Sequence, residues 1–182
     1  LEAQVQSARA QQPAAFKAVA SVKGHRYETY KNYRNPIPTV SRELRGLGAP
    51  ALMPMLEALA LNQPARGTPI DTEWDALAAG MLEAVGVLRD ARARPVLLAA
   101  FESNARPAVI AAAGRALGRL GGDPELAMLT KHAVKGDARF LEAIGGLGQM
   151  RRIEAAKHLA GILTTTKDDA VVEATADALG TL

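Results

Sequence analysis

One short phrase recurs along this chain and fixes the class of structure it can adopt. Ala84-Val-Gly-Val-Leu88 returns as Ala116-Leu-Gly-Arg-Leu120, Ala143-Ile-Gly-Gly-Leu147 and Ala178-Leu-Gly-Thr-Leu182, and Glu43-Leu-Arg-Gly-Leu47 is a weaker first copy. The closing leucines lie 41, 32, 27 and 35 residues apart. These intervals are irregular but average near the length of a two-helix repeat. Each phrase closes a stretch with helical spacing: Trp74, Leu77, Ala78, Met81, Leu82, Val85 and Leu88; then Val109, Ala113, Ala116, Leu117 and Leu120; then Phe140, Leu141, Ile144 and Leu147. No stretch keeps the alternation of a half-buried strand.

After each phrase the pattern breaks and a second amphipathic helix is expected, at 49–61, 91–103, 123–134 and 151–164. The breaks hold Gly48, Asp90, Gly121-Gly122-Asp123-Pro124 and Gly148. Glycine ends a helix through a left-handed residue, aspartate caps the next one, and proline is tolerated in its first turn. Gly86, Gly118, Gly145 and Gly180 share one phrase position, although glycine inside a helix costs about 1 kcal/mol relative to alanine. Close approach of neighbouring helices at that position is the expected reason.

Asp90-Ala-Arg-Ala-Arg-Pro-Val-Leu-Leu-Ala-Ala-Phe101 followed by Arg106-Pro-Ala-Val-Ile-Ala-Ala-Ala-Gly-Arg-Ala-Leu-Gly-Arg-Leu-Gly-Gly-Asp-Pro-Glu125 resembles HEAT-like repeats of the phycobilin-lyase type. In that pattern an Asp opens one helix, a Pro bends it, and an Ala-rich partner ends in Leu-Gly-x-Leu-Gly. The likeness covers 73–182 and extends to 38–61. The chain departs from the pattern at Ile110, where a basic residue is usual. The resemblance implies an all-α solenoid of four to five stacked helical hairpins. It implies protein–protein interaction, and nothing about bilin chemistry.

Two regions lie outside the repeat. Residues 62–72 form a polar insertion with Pro64, Gly67 and Pro69, expected to be a surface loop. Residues 1–37 are expected to be a separate N-terminal segment ahead of a repeat domain at 38–182. That segment opens with an amphipathic helix marked by Phe16, Val19, Ala20 and Lys23. The last phrase ends at Leu182 without a following helix, so the stack is expected to continue there or to be covered by another chain.

Charge is unevenly placed. Residues 1–45 contain eight Lys or Arg and three acids, whereas the rest of the chain has 14 bases and 16 acids. Every tyrosine falls in His25-Arg-Tyr-Glu-Thr-Tyr-Lys-Asn-Tyr-Arg34. Tyr and Arg concentrate binding energy at interfaces. The three tyrosines, at spacings of three, are expected first to form a helix face that caps the first repeat; Arg26, Tyr27, Tyr30, Lys31, Tyr33 and Arg34 are also candidate contacts for a protein partner or, by stacking and charge, for nucleic acid or anionic lipid. With no cysteine, disulfides and thiolate chemistry are excluded. No apolar run approaches the roughly 20 residues of a membrane span. The missing cysteine and a first residue other than Met incline the reading toward a bacterial cell envelope.

Catalytic constellations are sparse. His132 and His158 occupy similar places in successive second helices, with Glu154 a turn before His158. This is a conceivable metal cluster, but lone surface histidines explain it better. Gly145-Gly-Leu-Gly148 lacks the strand and the Lys-Ser/Thr of a phosphate loop. Trp74, the one tryptophan, lies on an apolar stripe and reads as core. No catalytic, cofactor or metal residue is assigned. The expected function is a non-enzymatic protein-binding scaffold. Its second helices would line the concave face and present Arg92, Arg94, Lys131, Lys135, Arg151, Arg152 and Lys157. The alternative is a nucleic-acid-binding or DNA-glycosylase-like HEAT protein, which the slightly acidic repeat region disfavours.

Overall fold

The computed structural model describes residues 1–24, 37–63 and 71–182. These residues form eleven α-helices and no strand. The helices are α1 (Glu2–Gln11), α2 (Pro13–Gly24), α3 (Ile37–Gly46), α4 (Leu52–Ala60), α5 (Asp71–Leu88), α6 (Arg94–Glu102), α7 (Pro107–Leu120), α8 (Asp123–His132), α9 (Phe140–Leu147), α10 (Ile153–Thr165) and α11 (Asp169–Thr181). Short 3₁₀ turns at Ala49–Ala51 and Ala91–Ala93 lead into α4 and α6.

The helices form two rows. α3, α5, α7, α9 and α11, the helices that carry the phrases, pack side by side in chain order. α4, α6, α8 and α10 return between them and form the other row. The starts and stops follow the expected chemistry. The Asp90 carboxylate accepts the Arg92 amide at 2.9 Å, and that of Asp168 accepts the Ala170 amide at 3.0 Å. Pro107 and Pro124 sit in the first turns of α7 and α8, and Gly121 closes α7 in the left-handed conformation at φ 73°.

One core runs through the stack. The phrase alanines Ala84, Ala116, Ala143 and Ala178 are all buried, with Val85, Leu117 and Ile144 beside them. Trp74 is 7% exposed and belongs to this core, as its stripe predicts. Leu147 is fully buried, whereas Leu47, Leu88, Leu120 and Leu182 are half-buried against the same core.

The rows are not equally close. A Cβ on Gly86 would lie 2.7 Å from the Cα of Ala116, one on Gly114 2.7 Å from the Glu142 carbonyl oxygen, and one on Gly148 2.8 Å from the Cα of Ala178. At Gly118 a Cβ would overlap the Gly146 carbonyl oxygen. Neighbouring phrase helices therefore meet backbone to backbone. The helices of the other row touch one another at few points. The row of phrase helices is thus the more closely packed of the two. The glycine expectation holds at Gly86 and Gly118. It fails at Gly145 and Gly180, where a Cβ would meet nothing within 4 Å.

The N-terminal region differs from the single helix expected. α1 and α2 form a pair whose Val5, Phe16, Val19 and Val22 join the common core, while Ala20 is exposed. α1 lies along α4, with Arg9 paired to Glu57 at 2.5 Å and stacked 4.2 Å over the Phe16 ring. α2 packs on α3, α4 and the first 3₁₀ turn. This pair covers the apolar end of α3 and α4, as the end of a solenoid requires. The Tyr-rich stretch 25–34 and most of the 62–72 insertion lie outside the described residues. α5 begins at Asp71, inside the expected insertion.

Candidate interaction surface

The turns that follow the phrase helices line one edge of the stack. Each contains a left-handed residue: Gly48 at φ 69°, Arg89 at 51°, Gly121 at 73° and Arg151 at 50°. For a residue with a Cβ this conformation costs roughly 1–2 kcal/mol, because the Cβ crowds the following carbonyl. Two turns thus use glycine, and two hold an exposed arginine in the same strained conformation. Neither the Arg89 nor the Arg151 side chain forms an ion pair among the described residues.

The neighbouring arginines are engaged. Arg92 pairs with Asp90 at 2.6 Å, and its hydrogen bonds hold the Asp90 carboxyl below the usual range. Arg94 at the start of α6 pairs at 2.5 Å with Glu125 of α8, whose side chain is fully buried. Arg152 bridges to Asp123 at 2.6 Å and to Glu154 at 3.3 Å. The starts of α6, α8 and α10 are therefore tied along this edge. Arg92, Arg94, Arg151 and Arg152 all lie along this edge, Arg94 and Arg152 linked through the start of α8.

Lys131, in the last turn of α8, and Lys135, just after it, belong to the opposite edge. Lys131 approaches Glu102 at 3.8 Å. Arg139 closes that edge by donating to the carbonyls of Phe101, Glu102 and Ser103 at 2.7–2.9 Å, which caps the end of α6. Lys157 is exposed on α10, between the edges.

A second ion-pair group links the phrase row. Glu83 of α5 accepts from Arg115 and Arg119 of α7, and Arg119 reaches Gln149 at 3.2 Å. Burial pushes the Glu83 carboxyl up, but the Arg119 hydrogen bond and the Arg115 charge outweigh it, so the group sits below its ordinary range. An inter-repeat ladder thus exists despite Ile110, built from positions 115 and 119.

The histidines have separate partners. His132 Nδ1 donates to the Asp137 carboxylate at 3.0 Å, and its ring meets Phe101 edge-on at 5.5 Å. His132 Nε2 is buried without a hydrogen-bond partner among the described residues. His158 Nε2 lies 3.2 Å from the Ala133 carbonyl oxygen, and Glu154 is held by Arg152.

Sequence reasoning missed Arg89, the ion pairs that occupy Arg92, Arg94 and Arg152, and the carbonyl cap by Arg139. Only Arg89 left a signal: it stands one residue after a phrase leucine, where Gly48 and Gly121 stand in sister copies. No protein-family model matches the chain, and no curated protein matches it.

Proposed function

We propose that the protein is a non-enzymatic scaffold of HEAT-like repeats that binds an acidic segment of a protein partner along its turn edge. One observation carries this reading: Arg89 and Arg151 occupy left-handed turns where glycine would fit without strain. Strain held at an exposed charged residue is of the kind that marks binding sites. Exposed aliphatic side chains accompany these cations, Val87 beside Arg89 and Ile153 beside Arg151. Arginine interleaved with aliphatic surface suits protein recognition.

The nucleic-acid alternative rests on the positive charge of the first 45 residues. Along the turn edge Arg92, Arg94 and Arg152 are neutralised by their own carboxylates, and Arg89 and Arg151 alone are too few for the many phosphate contacts of a nucleic-acid backbone, though enough for a short acidic segment.

The test is affinity capture with the full chain against Arg89→Gly/Arg151→Gly. The variant relieves backbone strain, so its fold persists. Partners retained by the parent chain and lost by the variant support the reading, and identical capture by both overturns it. Binding to duplex or single-stranded oligonucleotides that weakens steeply with salt would instead establish the alternative.

A further inference from the structure

The left-handed turns of the turn edge alternate in what they carry. In chain order they hold Gly48, Arg89, Gly121 and Arg151. Arg89 and Arg151 are exposed and form no ion pair among the described residues, and the turn between them is bare backbone at Gly121 and Gly122. The three turns are consecutive, because α5, α7 and α9 pack side by side in that order. Arg94, five residues after Arg89, reaches across to Glu125, four residues after Gly121. A Cβ on Gly121 would in turn stand 3.6 Å from the carbonyl oxygen of Met150, the neighbour of Arg151. Two steps of about 8–10 Å between packed helices put the arginine turns about 16–20 Å apart.

The stretch between the two arginines offers no free positive charge. The Arg94–Glu125 and Arg152–Asp123 pairs are each neutral, and the Asp123 side chain is 88% exposed although Arg152 holds it. A partner's carboxylate therefore gains at either arginine and meets another carboxylate midway. Aliphatic surface accompanies the two cations, with exposed Val87 two residues before Arg89 and exposed Ile153 two residues after Arg151. The edge thus presents two mixed charged and apolar contacts separated by a neutral, glycine-bearing gap.

We propose that the turn edge selects an extended peptide segment with two acidic anchors about six residues apart, each beside an aliphatic residue, and an uncharged stretch between them. The inference rests on the reading of this edge as the site for an acidic segment, and adds the conformation and spacing of that segment. An extended chain rises about 3.3 Å per residue, so about six residues cover the span. The even step matters, because alternate side chains of an extended chain point to opposite sides and only an even spacing turns both acids toward the edge. A helical segment would need about 11–13 residues for the same distance. The absence of a side chain at Gly121 and Gly122 lets the middle of the segment pass close to the backbone.

Titration of the full chain with synthetic peptides at physiological salt, followed by NMR at the Nε–H signals of Arg89 and Arg151, tests it. The peptides carry two leucine–glutamate anchors on a serine–glycine chain, set roughly three, six or twelve residues apart. A one-anchor peptide and a six-residue peptide with glutamates filled in between the anchors are the controls. The six-residue spacing should shift both arginine signals with one shared Kd, at least about tenfold below that of the one-anchor peptide. The added glutamates should not tighten it. Arg89→Gly and Arg151→Gly, each alone, should reduce the six-residue peptide to one-anchor affinity, read at the arginine that remains. If no peptide shifts either arginine, the acidic-segment reading of the edge fails and this inference with it. Equal affinity at all spacings, tightest binding at three or twelve, a one-anchor peptide that binds as well, or tighter binding from the added glutamates would each overturn the spacing while leaving the edge a site for acidic segments.

Discussion

Gly118 and Gly145 hold the same position in two copies of the phrase, yet substitution by alanine should move stability in opposite directions. At Gly145 a methyl group meets nothing within 4 Å. Alanine there gains only the helix preference, about 1 kcal/mol. At Gly118 the methyl would overlap the Gly146 carbonyl oxygen and lie 2.9 Å from the Gln149 Cβ. The obstacle is backbone, which cannot swing aside, so α7 and α9 must separate. Overpacking of this kind costs about 3 kcal/mol, the upper part of its usual range. Subtracting the helix preference leaves a net loss of about 2 kcal/mol. The two variants should thus differ by about 3 kcal/mol, and their melting temperatures by roughly 6–12 °C for a chain of this size. Urea titration followed by circular dichroism measures both, with an unchanged m-value confirming that stability alone has moved. If both variants gain equally, the close α7–α9 contact at Gly118 is refuted and glycine acts there only through helix propensity.

Arg139→Ala should cost about 2 kcal/mol, since charge-assisted hydrogen bonds to three carbonyls at the end of α6 disappear together; equal stability by urea titration would remove Arg139 from the cap. Asp168→Ala should lose about 1 kcal/mol of α11 capping, visible as faster amide exchange at Ala170 and Val171. Glu83 titrates lower in the folded than in the unfolded chain, so its stabilisation is present above the ordinary glutamate range and is lost as pH falls through its lower folded value. Acid melts of Glu83→Gln should therefore depend less on pH than those of the parent, and parallel curves would refute the Arg115–Glu83–Arg119 linkage.

The helical rows were legible because their cause is periodic. Apolar spacing and the Asp, Pro and Gly punctuation place α4, α6, α8 and α10 within a few residues of the ranges the sequence predicts, and α7 and α9 end on the phrase leucines. What could not be read is relational. Gly145 and Gly118 align in sequence, but the 27-residue interval leaves α9 only eight residues long. The close contacts then fall on Gly146 and Gly148. Which row is the more closely packed depends on these inter-helix contacts, which no local pattern encodes. α1 escaped notice because it buries one large aliphatic residue, Val5, too few for a periodic signal. The candidate arginines at 92, 94, 151 and 152 were visible as charges, but a carboxylate 31 positions away, as Glu125 is from Arg94, leaves no local trace.

The division of labour between these contacts isolates the edge residues that matter for recognition. Cohesion between phrase helices comes from buried alanines and from glycines that admit a neighbouring backbone, which leaves little room for charged groups inside the row. Charges that tie repeats together are therefore placed at the margins, at Glu83 with Arg115 and Arg119, and at the helix starts joined by Arg94–Glu125 and Arg152–Asp123. Arg94 and Arg152 are thus committed to holding adjacent repeats in register, and truncating either should loosen the stack before it affects any partner. Arg89 and Arg151 make no such link, and their backbone conformation opposes their presence. Replacing each by glycine should raise stability by about 1 kcal/mol, the left-handed penalty removed. Replacing each by alanine should leave that penalty in place while removing the charge. Partner binding reduced equally by glycine and alanine, with stability raised only by glycine, would separate recognition from folding at these turns. Lower stability in the glycine variants would show that the arginine stems pack against the edge and that the strain has a structural purpose.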